Sequence, residues 1–454
     1  MRLAGAVVAR RMVTIKEKNL EVEILQANFR SLLLAHWWEE GTGDRWKEVW
    51  AVANSVPEVR KAFPDIPLIA LSPAHEPFAS SGPYFGAHTL ATVMASPTVQ
   101  EEEDYLHSID QSQPNDKDFE FQRVAFKQIG MTKAWAIQKG SREVKVAVID
   151  TGVAYRHPDL AANIAMEQGG KTVLGLDFHN ESLDPDDDHW HGTYCAGLIG
   201  AVGDNRIGLS GICQRVSLLP LKALDSSGFG IGARAAAAIC FALEREADVI
   251  LCAWGSGNES PALKRAIEQA GENIVVVASA GNMEARSPGP HFPASFSPAY
   301  SKDRGFPNVI AVGATDTKGR PLPSETTPDI FAPGEDVYST FPPHLRYSPY
   351  HIGGGTSAAA AIVAGACALV KAELKAKNKN MTAAEIRAHL QTTADDIAPR
   401  DGNGTAGKRL NVGRALAALT GTRSPELQAS PHSKSHPQEG GSGQEETDRP
   451  GLMQ

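Results

Sequence analysis

Val144-Lys145-Val146-Ala147-Val148-Ile149 is an apolar run interrupted by one lysine, and it stops at Asp150-Thr151-Gly152. Its length suits a strand buried on both faces, as in a parallel sheet, and is too short for a typical helix. Comparable runs follow at 216–221, 248–253, 274–280 and 309–312. The stretches 191–201, 233–245, 261–270 and 357–375 between and after them read as helices. Strands alternating with helices imply an α/β domain built on a mainly parallel sheet. In such sheets, ligands and reacting groups gather beyond the carboxyl ends of the strands. Asp150 and Asn282 each fall just after a predicted strand.

Further along, Gly353-Gly354-Gly355-Thr356-Ser357 runs into the small-residue stretch 358–370. Glycines tolerate a tight loop and close backbone approach, and the alanine-rich stretch favours helix. Ser357 is thereby delivered to a helix start, where free N–H groups and the helix dipole favour negative charge. Taken singly, Ser357 reads as a helix cap, Asp150 and Asn282 as turn residues, and His191 as a buried structural histidine. Together, in the chain order Asp, His, Ser, they are the parts of an acyl-transfer site.

The totals narrow the class. The chain has 454 residues, 42% hydrophobic and 21% charged, enough for two or three domains with a substantial core. A formal net charge of -9 supplies no basic footprint for nucleic acid. No apolar run reaches the length expected of a membrane span, so no membrane partner is expected. The five cysteines, Cys195, Cys213, Cys240, Cys252 and Cys367, are odd in number and mostly inside apolar runs, which favours buried free thiols. The short apolar patch at 3–8 precedes Arg10 and Arg11, the reverse of the secretory order, so the sequence names no compartment.

Residues 1–113 form a first unit with its linker. Within it, 20–34 and 45–59 read as amphipathic helices and 68–71 as a short strand, giving a small α+β domain. A catalytic unit spans 114–420. From 421 to 454 the chain is rich in Ser, Pro, Gly, Gln and Glu without periodicity, and a disordered tail is expected.

The motifs resemble those of the subtilisin-like serine proteases, the subtilases. Val146-Ala-Val-Ile-Asp150-Thr-Gly-Val153, with His157-Pro-Asp-Leu160 behind it, is similar to the family's aspartate motif. His191-Gly-Thr-Tyr-Cys-Ala-Gly197 is similar to the histidine motif, and Gly355-Thr-Ser-Ala-Ala359 with Val363-Ala-Gly365 to the serine motif. Asn308–Gly313 and Phe331–Gly334 are also family-like, and the likeness covers roughly 115–420. It implies a three-layer subtilisin-like fold and a serine endopeptidase acting on polypeptides. It assigns Asp150, His191 and Ser357 to catalysis and Asn282 to the oxyanion hole. It makes Gly228, Gly230, Ala253, Trp254 and Gly255 the edges that pair with an extended substrate.

The resemblance also admits structural calcium at Gln122, Asp159 and Asp204 or Asn205, with backbone carbonyls from 202–209, and implies no organic cofactor. The run Asp184-Pro-Asp-Asp-Asp188 reads instead as a solvated acidic loop. Cys195, one turn after His191, lacks the partners of a zinc site. Residues 94–104 resemble the end of an inhibitor-type propeptide, which implies a zymogen held by its own N-terminal region and cut near 108–113. Three departures stand out. Ala361 replaces the usual proline after the serine, Trp190 takes the place of a glycine before His191, and Trp254 stands beside the primary pocket, where it is expected to reshape the cleft. These departures leave a second reading, a catalytically silent binding or regulatory module on the same fold.

Overall fold

The structure, a computed structural model, describes residues 113–420 except 168–169, 171, 283–288, 302, 304, 347 and 399–406, together with the backbone of four strands nearer the N-terminus. Those strands are β1 (Val7–Ile15), β2 (Leu20–Ala27), β3 (Leu33–Trp37) and β4 (Leu68–Ala70), and they form a sheet in that order. β1–β2 and β2–β3 are antiparallel, and β3–β4 is parallel. The strand expected at 68–71 is present. The helix expected over 20–34 is not: Leu20-Glu21-Val22-Glu23-Ile24 alternates apolar and polar, a two-residue period that selects strand over helix. The helix expected at 45–59 and the tail at 421–454 lie outside the described residues.

From Gly140 onward the alternation of strand and helix holds. The strands are β5 (Gly140–Asp150), β6 (Leu176–Asp177), β7 (Arg215–Lys222), β8 (Val249–Cys252), β9 (Val275–Ser279), β10 (Val309–Thr315) and β11 (Ile330–Pro333). After them come the β12 (Val337–Thr340) and β13 (Tyr350–Gly353) hairpin, then β14 (Asp395–Ile397) and β15 (Gly407–Arg409). The helices are α1 (Arg123–Gln128), α2 (Met131–Trp135), α3 (His191–Gly200), α4 (Gly232–Glu244), α5 (Pro261–Ala270), α6 (Gly355–Ala376), α7 (Ala383–Thr393) and α8 (Val412–Thr420). The main sheet has the order β14-β15-β11-β10-β9-β8-β5-β7-β6, parallel at every pairing except β14–β15.

β5 is the strand on which the order turns. β7 flanks it on one side and β8 on the other, with β9, β10 and β11 continuing beyond β8. Its side chains alternate between two cores. Val144, Val146 and Val148 join the cluster that contains α3 and α6, while Ala147 and Ile149 join the one formed with α4 and α5. Burial on both faces is why the strand reads as a nearly continuous apolar run. The result is the three-layer α/β arrangement the sequence implied.

α6 is apolar all round and buried from Gly355 to Leu374 except at Ser357, so it behaves as a core helix. It is long and apolar enough by length and composition to cross a membrane, contrary to the sequence expectation, but here it is enclosed by protein. It touches β5, β8, β9, β10, β11, α3 and α8. α5 and α7 show conventional starts. Ser260 accepts the Leu263 N–H with Pro261 in the first turn, and Thr382 with Glu385 forms a capping box. All five cysteines are free; four are buried and Cys240 is partly so.

Candidate active site

Asp150 is the last residue of β5 and is fully buried. A carboxylate without water must be satisfied by donors, and two are supplied. The Thr151 N–H donates to Oδ1 at 2.8 Å. His191, the first residue of α3, sets its Nδ1 at 2.9 Å from Oδ1 and 3.0 Å from Oδ2. Burial alone would weaken proton binding by the imidazole. The charge and hydrogen bond of Asp150, aided by the charge of Asp187, outweigh it and hold the His191 pKa above the ordinary 6.5.

The acidic run before His191 is a solvated loop only in part, with Asp184 and Asp188 exposed. Asp187 is buried and spans the entrance to α3. Its Oδ1 accepts from the Thr151 hydroxyl at 2.8 Å and from the His189 and Trp190 N–H groups at 3.0 Å. Its Oδ2 accepts from the Thr193 N–H at 2.9 Å and the Thr193 hydroxyl at 2.6 Å. Asp188 receives the ammonium of buried Lys222 at 2.6 Å, and that ammonium also donates to the Thr151 and Leu224 carbonyls at 2.8 and 2.9 Å. Asp187 and Lys222 thus tie down the residues on either side of the Asp150–His191 pair. Neither was singled out from sequence; the available signal was an acidic residue four positions before a helix-opening histidine.

Trp190 has φ 137°, a backbone conformation that favours glycine. Its indole stacks on His189 at 5.4 Å and on Phe341 at 6.1 Å between centroids, and meets the His191 ring edge-on at 5.6 Å. The strained backbone is held by an aromatic wall that includes His351.

Ser357 is the third residue of α6 and donates its hydroxyl to the Ala253 carbonyl at 2.8 Å. Gly355 has φ +82°, and a Cβ there would fall 2.9 Å from Asn282 Nδ2. Only glycine serves both the turn and the approach. Asn282 Oδ1 accepts from the Thr356 N–H at 2.8 Å and its hydroxyl at 3.2 Å. The Asn282 amide is thus fixed against the first turn of α6, next to Ser357.

The segments expected to meet substrate lie around these groups. Gly228, at φ +77°, sits in a turn whose Phe229 and Ser227 N–H groups donate to Asp225, with His189 beside it. Gly230 bridges Leu224. The side chains of Phe229, within the expected edge segment 227–230, and of Ile231 just after it are exposed. Ala253 holds Ser357 through its carbonyl, and Gly255 lies under the ring of His291. Trp254, expected to reshape the cleft, is half-buried: it donates Nε1–H to the Ile149 carbonyl at 2.6 Å and packs on the core below.

Of the calcium candidates, Asp159 is buried and accepts from Asn205 Nδ2 at 2.6 Å, the Leu209 N–H at 2.8 Å and the Tyr350 hydroxyl at 3.2 Å. Burial pushes its pKa up to about 6, and the charge of Asp116 adds to this. Asp116, not singled out from sequence, is buried beside the same loop and accepts from the Asp204 and Asn205 N–H groups at 3.0 Å and from Ser210. Two neighbouring buried carboxylates are the oxygen ligands a hard cation takes, but every one of their oxygens already accepts from an N–H or O–H, so a cation would have to displace those donors. Gln122 and Asp204 are committed elsewhere. Gln122 exchanges two 2.9 Å bonds with the Ser210 backbone, and Asp204 pairs with Lys139 at 2.6 Å. Cys195 has its sulfur within 4.8 Å of Asp150 and His191 ligand atoms. Burial and nearby carboxylates keep it a neutral thiol, and the other two groups are bonded to each other, so no metal site is made there.

Comparison with known proteins gives a consistent picture. The model of the Subtilase family matches residues 141–417. Thermitase of Thermoactinomyces vulgaris is 35% identical over 309 residues, covering 67% of this chain and 99% of that protein. The thermophilic serine proteinase of Bacillus sp. (strain AK1) is 36% identical over 276 residues, covering 60% of this chain and 61% of that protein. Subtilisin DY of Bacillus licheniformis is 36% identical over 262 residues, covering 56% of this chain and 84% of that protein.

Proposed function

The chain belongs to the subtilase family of serine endopeptidases, and on that premise we propose that it cleaves polypeptides with Ser357 as nucleophile, His191 as general base and acid, and Asp150 as the group that fixes the imidazole. The observation that carries this assignment is the hydrogen bond from His191 Nδ1 to the buried Asp150 carboxylate, 2.9 Å at Oδ1. It keeps a proton on Nδ1 and leaves Nε2 as the base.

Each step follows from the groups present. Ser357 Oγ turns from the Ala253 carbonyl toward His191 Nε2, which takes its proton as Oγ bonds the substrate carbonyl carbon. The carbonyl oxygen becomes an oxyanion, stabilised by Asn282 Nδ2 and the Ser357 N–H at the start of α6. The C–N bond then breaks, and Nε2 returns the proton to the departing amine. Water repeats the sequence on the acyl-enzyme: Nε2 takes its proton, and the Ser357 oxygen leaves with that proton. Asp150 stays ionised throughout and balances the imidazolium.

The same reading makes 1–113 an inhibitor-like propeptide and linker, removed near 108–113, and 114–420 the peptidase domain. Calcium, where bound, would be held by Asp159, Asp116, Asn205 and carbonyls of 202–209. It would brace that loop and take no part in the chemistry.

The test is mass spectrometry of wild-type and Ser357→Ala chains after incubation at neutral pH with calcium, alongside labelling by a serine-directed fluorophosphonate. The wild type should take the label at Ser357 and lose roughly its first 110 residues, while the variant stays whole and unlabelled. Absence of labelling and processing in both would favour the silent module instead.

A further inference from the structure

A second acid–base pair lies beside the site, and the hydrolytic steps make no use of it. His291 Nδ1 is 3.0 Å from Glu325 Oε2. The His291 N–H donates to Ser295 Oγ at 2.8 Å, and the Glu325 carbonyl accepts from the Gly289 N–H at 2.9 Å, so both residues are pinned through their backbones. The imidazole presses on Gly255 so closely that any Cβ there would collide with Nε2. A Cβ on Gly281, which has φ +82°, would fall 2.9 Å from both His291 Nδ1 and Glu325 Cβ.

These two glycines flank the reacting groups. Gly255 lies two residues after Ala253, whose carbonyl holds Ser357 Oγ, and Gly281 immediately precedes Asn282. In the acyl-enzyme the carbonyl carbon is on Ser357 Oγ and its oxygen is at Asn282. The side chain one bond away on Cα therefore stands over the two glycine-containing segments. The glycines present no side chains of their own, so what that side chain meets is the His291 ring and the Glu325 carboxylate. The His291 side chain is 13% exposed, but that of Glu325 is 38% exposed, so its carboxylate is open to solvent beside the ring. Burial holds the His291 pKa below the ordinary 6.5 against the pull of Glu325. At neutral pH the ring is therefore uncharged, and the pair carries the carboxylate's single negative charge.

We propose that His291 and Glu325 select the substrate residue on the acyl side of the scissile bond, favouring lysine or arginine over an uncharged side chain of similar length and rejecting glutamate. This rests on the endopeptidase reading above. A long cationic side chain can lay its methylenes along the imidazole and bring its charge to Glu325. A carboxylate meets like charge across a partly desolvated gap.

The experiment uses the full chain after processing and quenched peptides that differ only in that residue: lysine, methionine or glutamate. Wild type should show kcat/KM for lysine about tenfold above methionine, with glutamate lowest. Glu325→Gln should bring the lysine-to-methionine ratio to about one, and Glu325→Lys should invert the order of lysine and glutamate. Fluorophosphonate labelling of Ser357 in each variant reports that the site is formed. A ratio unchanged in labelled Glu325→Gln and Glu325→Lys, or a wild type that favours methionine, overturns the assignment. Failure of wild type to cleave any peptide or take the label overturns the endopeptidase reading, and this proposal with it.

Discussion

His191 is held between opposing forces, burial that disfavours its proton and carboxylates that attract it, and the carboxylates prevail. The proposed mechanism needs the neutral ring, so kcat/KM should fall as the pH drops through a value above 6.5, measured as the acid limb of its pH profile. The raised pKa also makes the protonated ring a stabilising contribution, present below its unfolded pKa and lost as the pH rises through the folded one. Asp150→Asn removes the attraction and the tautomer control, and kcat should fall by about 10⁴. Trp190 offers a second residue-level test. At φ 137° a glycine is relaxed and an alanine is not, while both lose the stacked indole. Trp190→Gly should therefore be more stable than Trp190→Ala by about 1–2 kcal/mol in denaturant unfolding, the reverse of their usual order.

α3 begins at His191, and the groups that orient its first turn converge on Asp187. Asp187→Ala would strand the Thr193, Trp190 and His189 N–H groups and the Thr151 hydroxyl at once. We expect a loss of about 2–4 kcal/mol in stability and a fall in kcat at unchanged Ser357 content, read by denaturant unfolding and active-site titration. The sequence hid this role because consecutive carboxylates look like a hydrated loop. Which of the four acidic residues turns inward depends on Thr151, a residue at the end of a different element. β5 was legible because burial on both faces writes itself as an apolar run, whereas β2 was misread although Leu20, Val22 and Ile24 alternate with glutamates. The size of Trp254 was evident in the sequence, but its anchor was not, because that is the Ile149 carbonyl on a different strand.

For the whole molecule, the mainly parallel sheet and the position of Asp150 just beyond a strand followed from the alternation of apolar runs, while the three layers and the groups around Asp150 followed from the motif resemblance. The pairing of His291 with Glu325, 34 residues apart, left no local pattern to read. Nor did the approach of Asp116 to Asp159, which depends on how the 202–210 loop folds. That pair of carboxylates supports a global prediction: chelation should lower the melting temperature by about 5–10 °C, and Asp159→Asn should remove the difference, as scanning calorimetry would register. α6 carries Ser357 on its first turn and then runs through the interior against five strands and two other helices. Heat inactivation should accordingly share its midpoint with the loss of near-ultraviolet circular dichroism. With the proposed nucleophile mounted on its own keel, the enzyme cannot weather gradually at the margins; its working life ends when the hull does.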